Sequence, residues 1–389
     1  MAAARAGEDP LLRRWGLRNI NTGAPVTPDT VFPICSVIKS FTAAAIALLV
    51  DKGRLDWDAP VRTVLPEFRL RDTVATEQAS LRDLLTHRIG LPRHDWVTYG
   101  RRLDNAGTLA APHHLEPSKP FRGVWQYNNL IISWLLILER ASGEPWEDFV
   151  RTHILLPLGI ERTRTSLEDM LARHPDLAVG YAVLDGEQRR IPLRLIYARP
   201  AGGICASIAE MAAWMRFHLD PVTGRDGLRL SQAAPTELTA PQIYICHADF
   251  AEIGRVNYGF GFFVGDHRGA CSIHHNGGPW FGYNCDPHLL PDHGSGVMVL
   301  TNGHDPGCAP LTNAVLDHLL GLKPLPWLDR FRSPRAGSRE HPSQDRSVRV
   351  EARRHDASPS HALGRLRQRI RAPGLRQGGH HPRRRGVPL

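Results

Sequence analysis

Ile34-Cys35-Ser36-Val37-Ile38-Lys39-Ser40-Phe41, running on through Thr42-Ala43-Ala44-Ala45-Ile46-Ala47-Leu48-Leu49-Val50, joins a serine and a lysine to a long apolar run. Ser36 stands where a helix is expected to begin. Serine is a good N-cap, and the residues that follow are mostly apolar helix formers until Gly53 ends the run. On that helix Ser36 and Lys39, three apart, share a face. A serine hydroxyl is a poor nucleophile until a nearby base takes its proton. Lysine can be that base if burial or a neighbouring cation lowers its pKa, whereas arginine does not deprotonate. The chain has four lysines (Lys39, Lys52, Lys119 and Lys323) against 44 arginines. Where only positive charge is needed, this chain writes Arg, so a lysine facing a helix-start serine is a candidate for use in its neutral form. Alone the pair is weak: with Ser at ~7% of residues, four lysines give roughly a one-in-four chance of such a match.

Outward from this stretch, residues 11–34 read as extended, with a turn at Asn21-Thr22-Gly23. Asn128 to Ala141 reads as a second apolar helix, and Tyr127-Asn128-Asn129 opens it. A phenol becomes a useful base when an ammonium sits beside it. Asn129 offers both a donor and an acceptor, which suits holding a lysine amine and a substrate amide together. Further on, Tyr258 to Val264, Cys271 to His275 and Gly296 to Leu300 alternate as strands do. His275-Asn276-Gly277-Gly278 ends the second of these. Two glycines there let another molecule's carbonyl approach the backbone, and a free N–H could complete an oxyanion hole with that of Ser36. Strands at both ends with helices between predict an α+β architecture, a mainly antiparallel sheet with a helical insertion over about 54–220. The sheet is expected from about 11–35 and 256–320.

Bulk properties narrow the function. Six cysteines are widely spread without a Cys-x-x-Cys pair, and the adjacent histidines (113–114, 274–275, 380–381) lack metal-ligand spacing, so no metal is expected. No apolar run reaches the ~20 residues of a membrane span, and the N-terminus lacks a signal-peptide core, which points to a cytoplasmic protein. The formal charge of +9 belongs to the tail: from Arg330 onward stand 16 Arg and 4 acids, while the rest is slightly acidic. With few large apolar residues, residues 330–389 are expected to be disordered. No aromatic interleaves with those arginines after Phe331, which argues against a nucleic-acid arm.

Taken together and in this order, Ser36-x-x-Lys39, Tyr127-x-Asn129 and His275-x-Gly277 resemble the serine β-lactamase and penicillin-binding-protein superfamily, most closely its class C β-lactamase-like branch. The likeness extends to Leu84-Leu85-Thr86-His87-Arg88-Ile89-Gly90-Leu91-Pro92, Leu156-Pro157-Leu158-Gly159-Ile160 and Pro200-Ala201-Gly202-Gly203, covering about Leu11 to Leu328. It implies a β-lactamase/transpeptidase-like fold and a serine hydrolase without metal or organic cofactor. Ser36 would be acylated, Lys39 and Tyr127 would share its proton, and Asn129 would orient Lys39 and substrate. Gly277 and Gly278 would line the site, with the Ser36 and Gly278 N–H groups holding the oxyanion. His275 stands where many relatives carry a lysine that meets a substrate carboxylate. A neutral His weakens that anchor and shifts the expectation from β-lactams towards a small ester, amide or D-amino-acid peptide. β-Lactamase and DD-peptidase activities, and a catalytically silent, truncated protein, are the alternatives.

Two departures from the family pattern bear on the fold. Little sequence precedes the segment resembling Leu11–Asn19, where the family has a helix and a first sheet strand, so either the start is misplaced or the sheet lacks an edge strand. After Leu328 the likeness dissolves. A one-base slip in GC-rich codons would turn the opening of a β-rich C-terminal domain into residues 364–376.

Overall fold

The computed structural model describes residues 1–332 apart from 94–104, 130–132, most of 164–173, 194–202, most of 221–232, 249, 279–281 and 304–307. The Arg-rich tail from 333 on, His380–His381 and Pro200-Ala201-Gly202 lie outside the described residues.

The chain builds one antiparallel sheet of eight strands in the order β2-β1-β14-β13-β12-β11-β10-β9. Their bounds are β1 Ala2–Arg5, β2 Leu11–Leu12, β9 Ile243–His247, β10 Arg255–Tyr258, β11 Phe263–His267, β12 Ala270–His274, β13 Asn284–Leu290 and β14 Ser295–Thr301. The strand expected to be missing is therefore present: β1 lies inside the sheet, and β2 forms its edge. Ala2 pairs with Met298 on one side and with Leu12 on the other. Alanine has low strand propensity, which hid this strand, but small side chains suit its place: Ala2 and Ala4 are buried beneath the Ile208–Leu219 helix.

Residues 17–33, expected in the main sheet, pair elsewhere. β3 (Leu17–Asn19) and β4 (Ala24–Pro25) form a hairpin of their own. β5 (Val31–Pro33) pairs with β8 (Cys205–Ser207), which fixes the entry to the nucleophile turn. A further hairpin joins β6 (Tyr181–Leu184) and β7 (Glu187–Arg190). The run from Tyr258 to Val264, read as one strand, instead folds back on itself: Tyr258 ends β10, residues 259–262 make the tight turn, and Phe263 and Val264 open β11.

Alternation along β14 separates two layers. Met298 and Leu300 face a core that includes helix α1 (Ile38–Asp51) and the Ile208–Leu219 helix. Val297 and Val299 face Leu316 of the Cys308–Leu319 helix. Helix α1 is buried nearly all round, from Ile38 to Leu49. Phe41 stacks on Trp214 at 3.9 Å, while Trp146 donates its indole N–H to Thr42 and Trp214 donates to Ser40. Fully burying each large apolar side chain is worth about 1.5–3 kcal/mol. The small face of Ala43, Ala44, Ala45 and Ala47 lets neighbours pack close. The helix that carries Lys39, with Ser36 in the turn just before it, is thus packed nearly all round.

Candidate active site

From Thr30 to Leu49 every residue is buried except Ser36. The chain reaches that exposure through Cys35, whose backbone is left-handed at φ 49. A non-glycine there carries strain on the order of 1–3 kcal/mol. Ser36 occupies a single tight turn, Cys35–Val37, before α1 starts at Ile38. Its hydroxyl does not cap the helix: the N-cap is Val37, without a side-chain bond. The oxygen goes to the site instead.

Two glycines of the sheet seat this turn. A Cβ at Gly261 (φ 75) would stand 2.7 Å from the Lys39 carbonyl oxygen, and one at Gly277 would collide with the Ile34 carbonyl oxygen and lie 3.1 Å from the Cys35 Cβ. Only glycine lets the sheet backbone approach both ends of the nucleophile turn so closely.

The opposite wall is the extended segment Trp125–Asn129, clamped to the loop that follows the short Leu81–Leu85 helix. Gln126 donates its N–H to the His87 carbonyl at 2.8 Å, and the Asn128 N–H donates to His87 Nδ1 at 3.2 Å. The Asn128 amide donates to the Pro92 carbonyl at 2.6 Å. Beneath lies Asp83, fully buried, accepting from Arg88 and Arg122 and from the Ser80 N–H and hydroxyl. Burial pushes this carboxyl up, but Arg122, Ser80 and Arg88 outweigh it and hold it below the usual range. The second helix begins at Ser133 among the described residues, so Tyr127 and Asn129 precede it.

These two walls bring four of the expected residues together. Tyr127 Oη lies 2.8 Å from Ser36 Oγ, Lys39 Nζ lies 3.3 Å from that oxygen, and Lys39 donates to Asn129 Oδ1 at 2.9 Å. The Lys39 ammonium also sits 4.8 Å from the Tyr127 ring centroid, and the Arg93 guanidinium 5.0 Å from it. Lys39, Tyr127 and Asn129 are buried. The trio can therefore pass a proton between hydroxyl, phenol and amine.

Gly277 lies against this turn, and Gly278 (φ 127) packs on Tyr283 and Asn284. The Gly277 N–H is spent on the Cys285 carbonyl at 2.7 Å, whereas the Gly278 N–H meets no backbone acceptor among the described residues. His275 is a different case. Its ring is 2% exposed, Nδ1 lies 2.9 Å from the Asn276 carbonyl oxygen and Nε2 2.9 Å from the Tyr258 hydroxyl. Burial, reinforced by the Lys39 charge, drives its pKa down to about 3. As placed, His275 is a neutral ring with both nitrogens engaged inside the wall, not an exposed contact for a carboxylate.

Sequence reasoning missed His87 and Tyr258. His87 is pushed well below its ordinary pKa by burial first, then by Lys39, His275 and Arg93. Its ring packs 4.6 Å from Tyr127 and 5.1 Å from Tyr258, and Trp125 and Phe263 complete an aromatic cluster around Tyr127. Both residues stood in quoted stretches. A histidine two residues after Leu-Leu in an apolar run was the available signal. Among the described residues, no three His, Cys, Asp or Glu side chains are grouped to hold a metal ion.

The sheet, the helical layer and the Ser–Lys–Tyr corner between them define a β-lactamase/transpeptidase-like fold. The β-lactamase family model matches residues 1–320, and the chain belongs to that family. It is 33% identical over 226 residues to an unguisins hydrolase of Aspergillus campestris (strain IBT 28561), covering 54% of this chain and 41% of that protein. To penicillin-binding protein 4 of Amycolatopsis lactamdurans it is 29% identical over 294 residues, covering 74% and 76% of the two chains. The chain thus spans about two fifths of the first relative's length and three quarters of the second's. Among solved structures, the octameric penicillin-binding protein homologue from Pyrococcus abyssi superposes with a TM-score of 0.71 at 26% identity, covering 85% of this chain and 76% of that one. No helix among the described residues is long and apolar enough to cross a membrane.

Proposed function

We propose that the protein is a serine hydrolase that forms an acyl-enzyme at Ser36, acting on a small ester, amide or D-amino-acid peptide. The observation that carries this reading is the 2.8 Å contact between Tyr127 Oη and Ser36 Oγ, with Lys39 Nζ 3.3 Å from the same oxygen. In the reaction the Ser36 proton passes to the Tyr127–Lys39 pair as Oγ attacks the substrate carbonyl, and Tyr127 returns it to the leaving group. The Ser36 and Gly278 N–H groups take the developing oxyanion, and Asn129 aligns the substrate amide with Lys39. Water then releases the acyl group by the same proton path in reverse.

The buried, neutral ring of His275 supports an uncharged substrate face there, which favours esters and peptide-like amides over β-lactams. The named relatives, a hydrolase and a penicillin-binding protein, agree with acyl transfer as the reaction class. A panel of p-nitrophenyl esters, D-aminoacyl anilides and a chromogenic cephalosporin tests the reading. Turnover of an ester or anilide that disappears in Ser36→Ala is expected. Silence across the panel would favour the catalytically inert alternative, and turnover of the cephalosporin alone would restore the β-lactamase one.

A further inference from the structure

His275 makes two hydrogen bonds, and their chemistry fixes its protonation. The partner of Nδ1 is the Asn276 carbonyl, which only accepts, so Nδ1 must carry the proton. A second proton on Nε2 would make the ring a cation inside the wall, with the Lys39 ammonium nearby. Nε2 is therefore the acceptor, and the Tyr258 hydroxyl donates to it at 2.9 Å. Tyr258 itself is completely buried, and burial raises its hydroxyl well above the ordinary phenol range, so it keeps its proton to donate.

The other end of this chain of bonds reaches the reaction site. A peptide unit is planar and trans, so holding the Asn276 carbonyl also sets the direction of the Gly277 N–H. That N–H donates to the Cys285 carbonyl at 2.7 Å, and Cys285 N–H donates back to the Gly277 carbonyl at 2.8 Å. The strand from Asn276 to Gly278 is thus pinned on two sides, by His275 and by β13. Gly277 also seats the Ile34–Cys35 backbone that presents Ser36.

We propose that Tyr258 is a positioning residue for this site: its hydroxyl holds His275 in the neutral Nδ1–H form, and His275 in turn fixes the Asn276 carbonyl that opens the Gly277–Gly278 turn. The groups facing His275 are Lys39 from α1, His87 and Tyr127 from the opposite wall, and Tyr258 from β10. None of these is a carboxylate. The effect on catalysis rests on the acyl-enzyme reading above, whereas the tautomer is a property of the resting protein.

Nitrogen-15 NMR of the imidazoles, with His275 assigned by loss of its signals in His275→Gln, reads the tautomer without substrate. In the wild-type chain His275 is expected as a single Nδ1–H form, unchanged from pH 5 to pH 9. Tyr258→Phe keeps the ring and removes the donor. It is expected to shift the Nε2 resonance and admit the Nε2–H form, and to lower kcat for a p-nitrophenyl ester about tenfold with little change in KM. A wild-type ring found as Nε2–H or as a cation in that range would overturn the proposal, whether or not the variant folds. So would a variant whose spectrum and kcat match the wild type, or one with an altered tautomer and unaltered kcat. Absence of turnover in both proteins, with the expected wild-type tautomer, would count against the acyl-enzyme reading and leave the tautomer standing.

Discussion

Two buried histidines on neighbouring strands of the same sheet have opposite surroundings. His267, at the end of β11, gives Nε2 to the buried carboxylate of Asp317 at 2.9 Å. The same carboxylate takes Arg268 at 3.1 Å, the Trp327 indole N–H at 2.8 Å and the Leu325 N–H at 3.1 Å. Every oxygen there has its donors, and the cluster ties the Cys308–Leu319 helix to the Trp327–Arg332 helix. His275, just past β12, meets a phenol and a carbonyl, and burial and then the Lys39 charge keep its ring neutral. The first region gathers a carboxylate with its cations and N–H donors, whereas the second joins neutral hydrogen-bonding groups around His275. A fold anchor tolerates no change of charge, while the candidate reaction site places a lysine amine against a serine hydroxyl and an amide oxygen.

The contrast is broken most severely at Lys39. Lys39→Met is expected to lower kcat by ~10³–10⁴ while leaving the urea midpoint unchanged or raised, because a buried charge leaves with it. A variant that loses stability instead would make Lys39 a second anchor. Asp317→Ala should do the reverse. It strands His267 and Arg268 and is expected to cost about 3–5 kcal/mol in urea unfolding, with kcat per folded molecule nearly intact.

Acid should separate the regions further. Burial holds His218 and His275 down to about 3 and His87 well below its ordinary value. Unfolded histidines titrate near 6.5, so unfolding takes up protons below that pH. The contribution of these rings is fully present above pH 6.5 and is lost as the pH falls towards 3. Asp83 adds a later loss, below the ordinary carboxylate range, as pH falls through its depressed value. Thermal unfolding followed from pH 8 to pH 4 checks the sign: a midpoint flat from pH 7 to pH 4 would contradict the burial of these histidines. The smallest effect belongs at the rim of the clamp. Arg330 meets Glu252 through two bonds of 2.8 Å, both side chains partly exposed, and Arg330→Ala should cost no more than about 1 kcal/mol.

Much of the site was legible because the chemistry restricts residue type. A lysine in a chain that prefers arginine, three residues after a helix-start serine, marked the corner, and Tyr127 and Asn129 followed from their order. The structure brings all four within hydrogen-bonding range. What escaped depends on facing, which periodicity does not report at element ends. His274 and His275 are adjacent at a strand terminus, and only the fold decides that His275 turns inward while His274 stacks on His288 at 4.2 Å. The first strand escaped because Ala2-Ala3-Ala4 carries no β-branched residue. The hairpin from Tyr258 to Val264 passed for a single strand because Gly259 and Gly261 sit between aromatics in strand alternation.

Intact-protein mass spectrometry after incubation with a fluorophosphonate reads the nucleophile itself. One adduct per chain is expected, mapped to the peptide containing Ser36, and none in Ser36→Ala. An unmodified wild-type chain, or an adduct that persists in Ser36→Ala, would contradict Ser36 as that nucleophile.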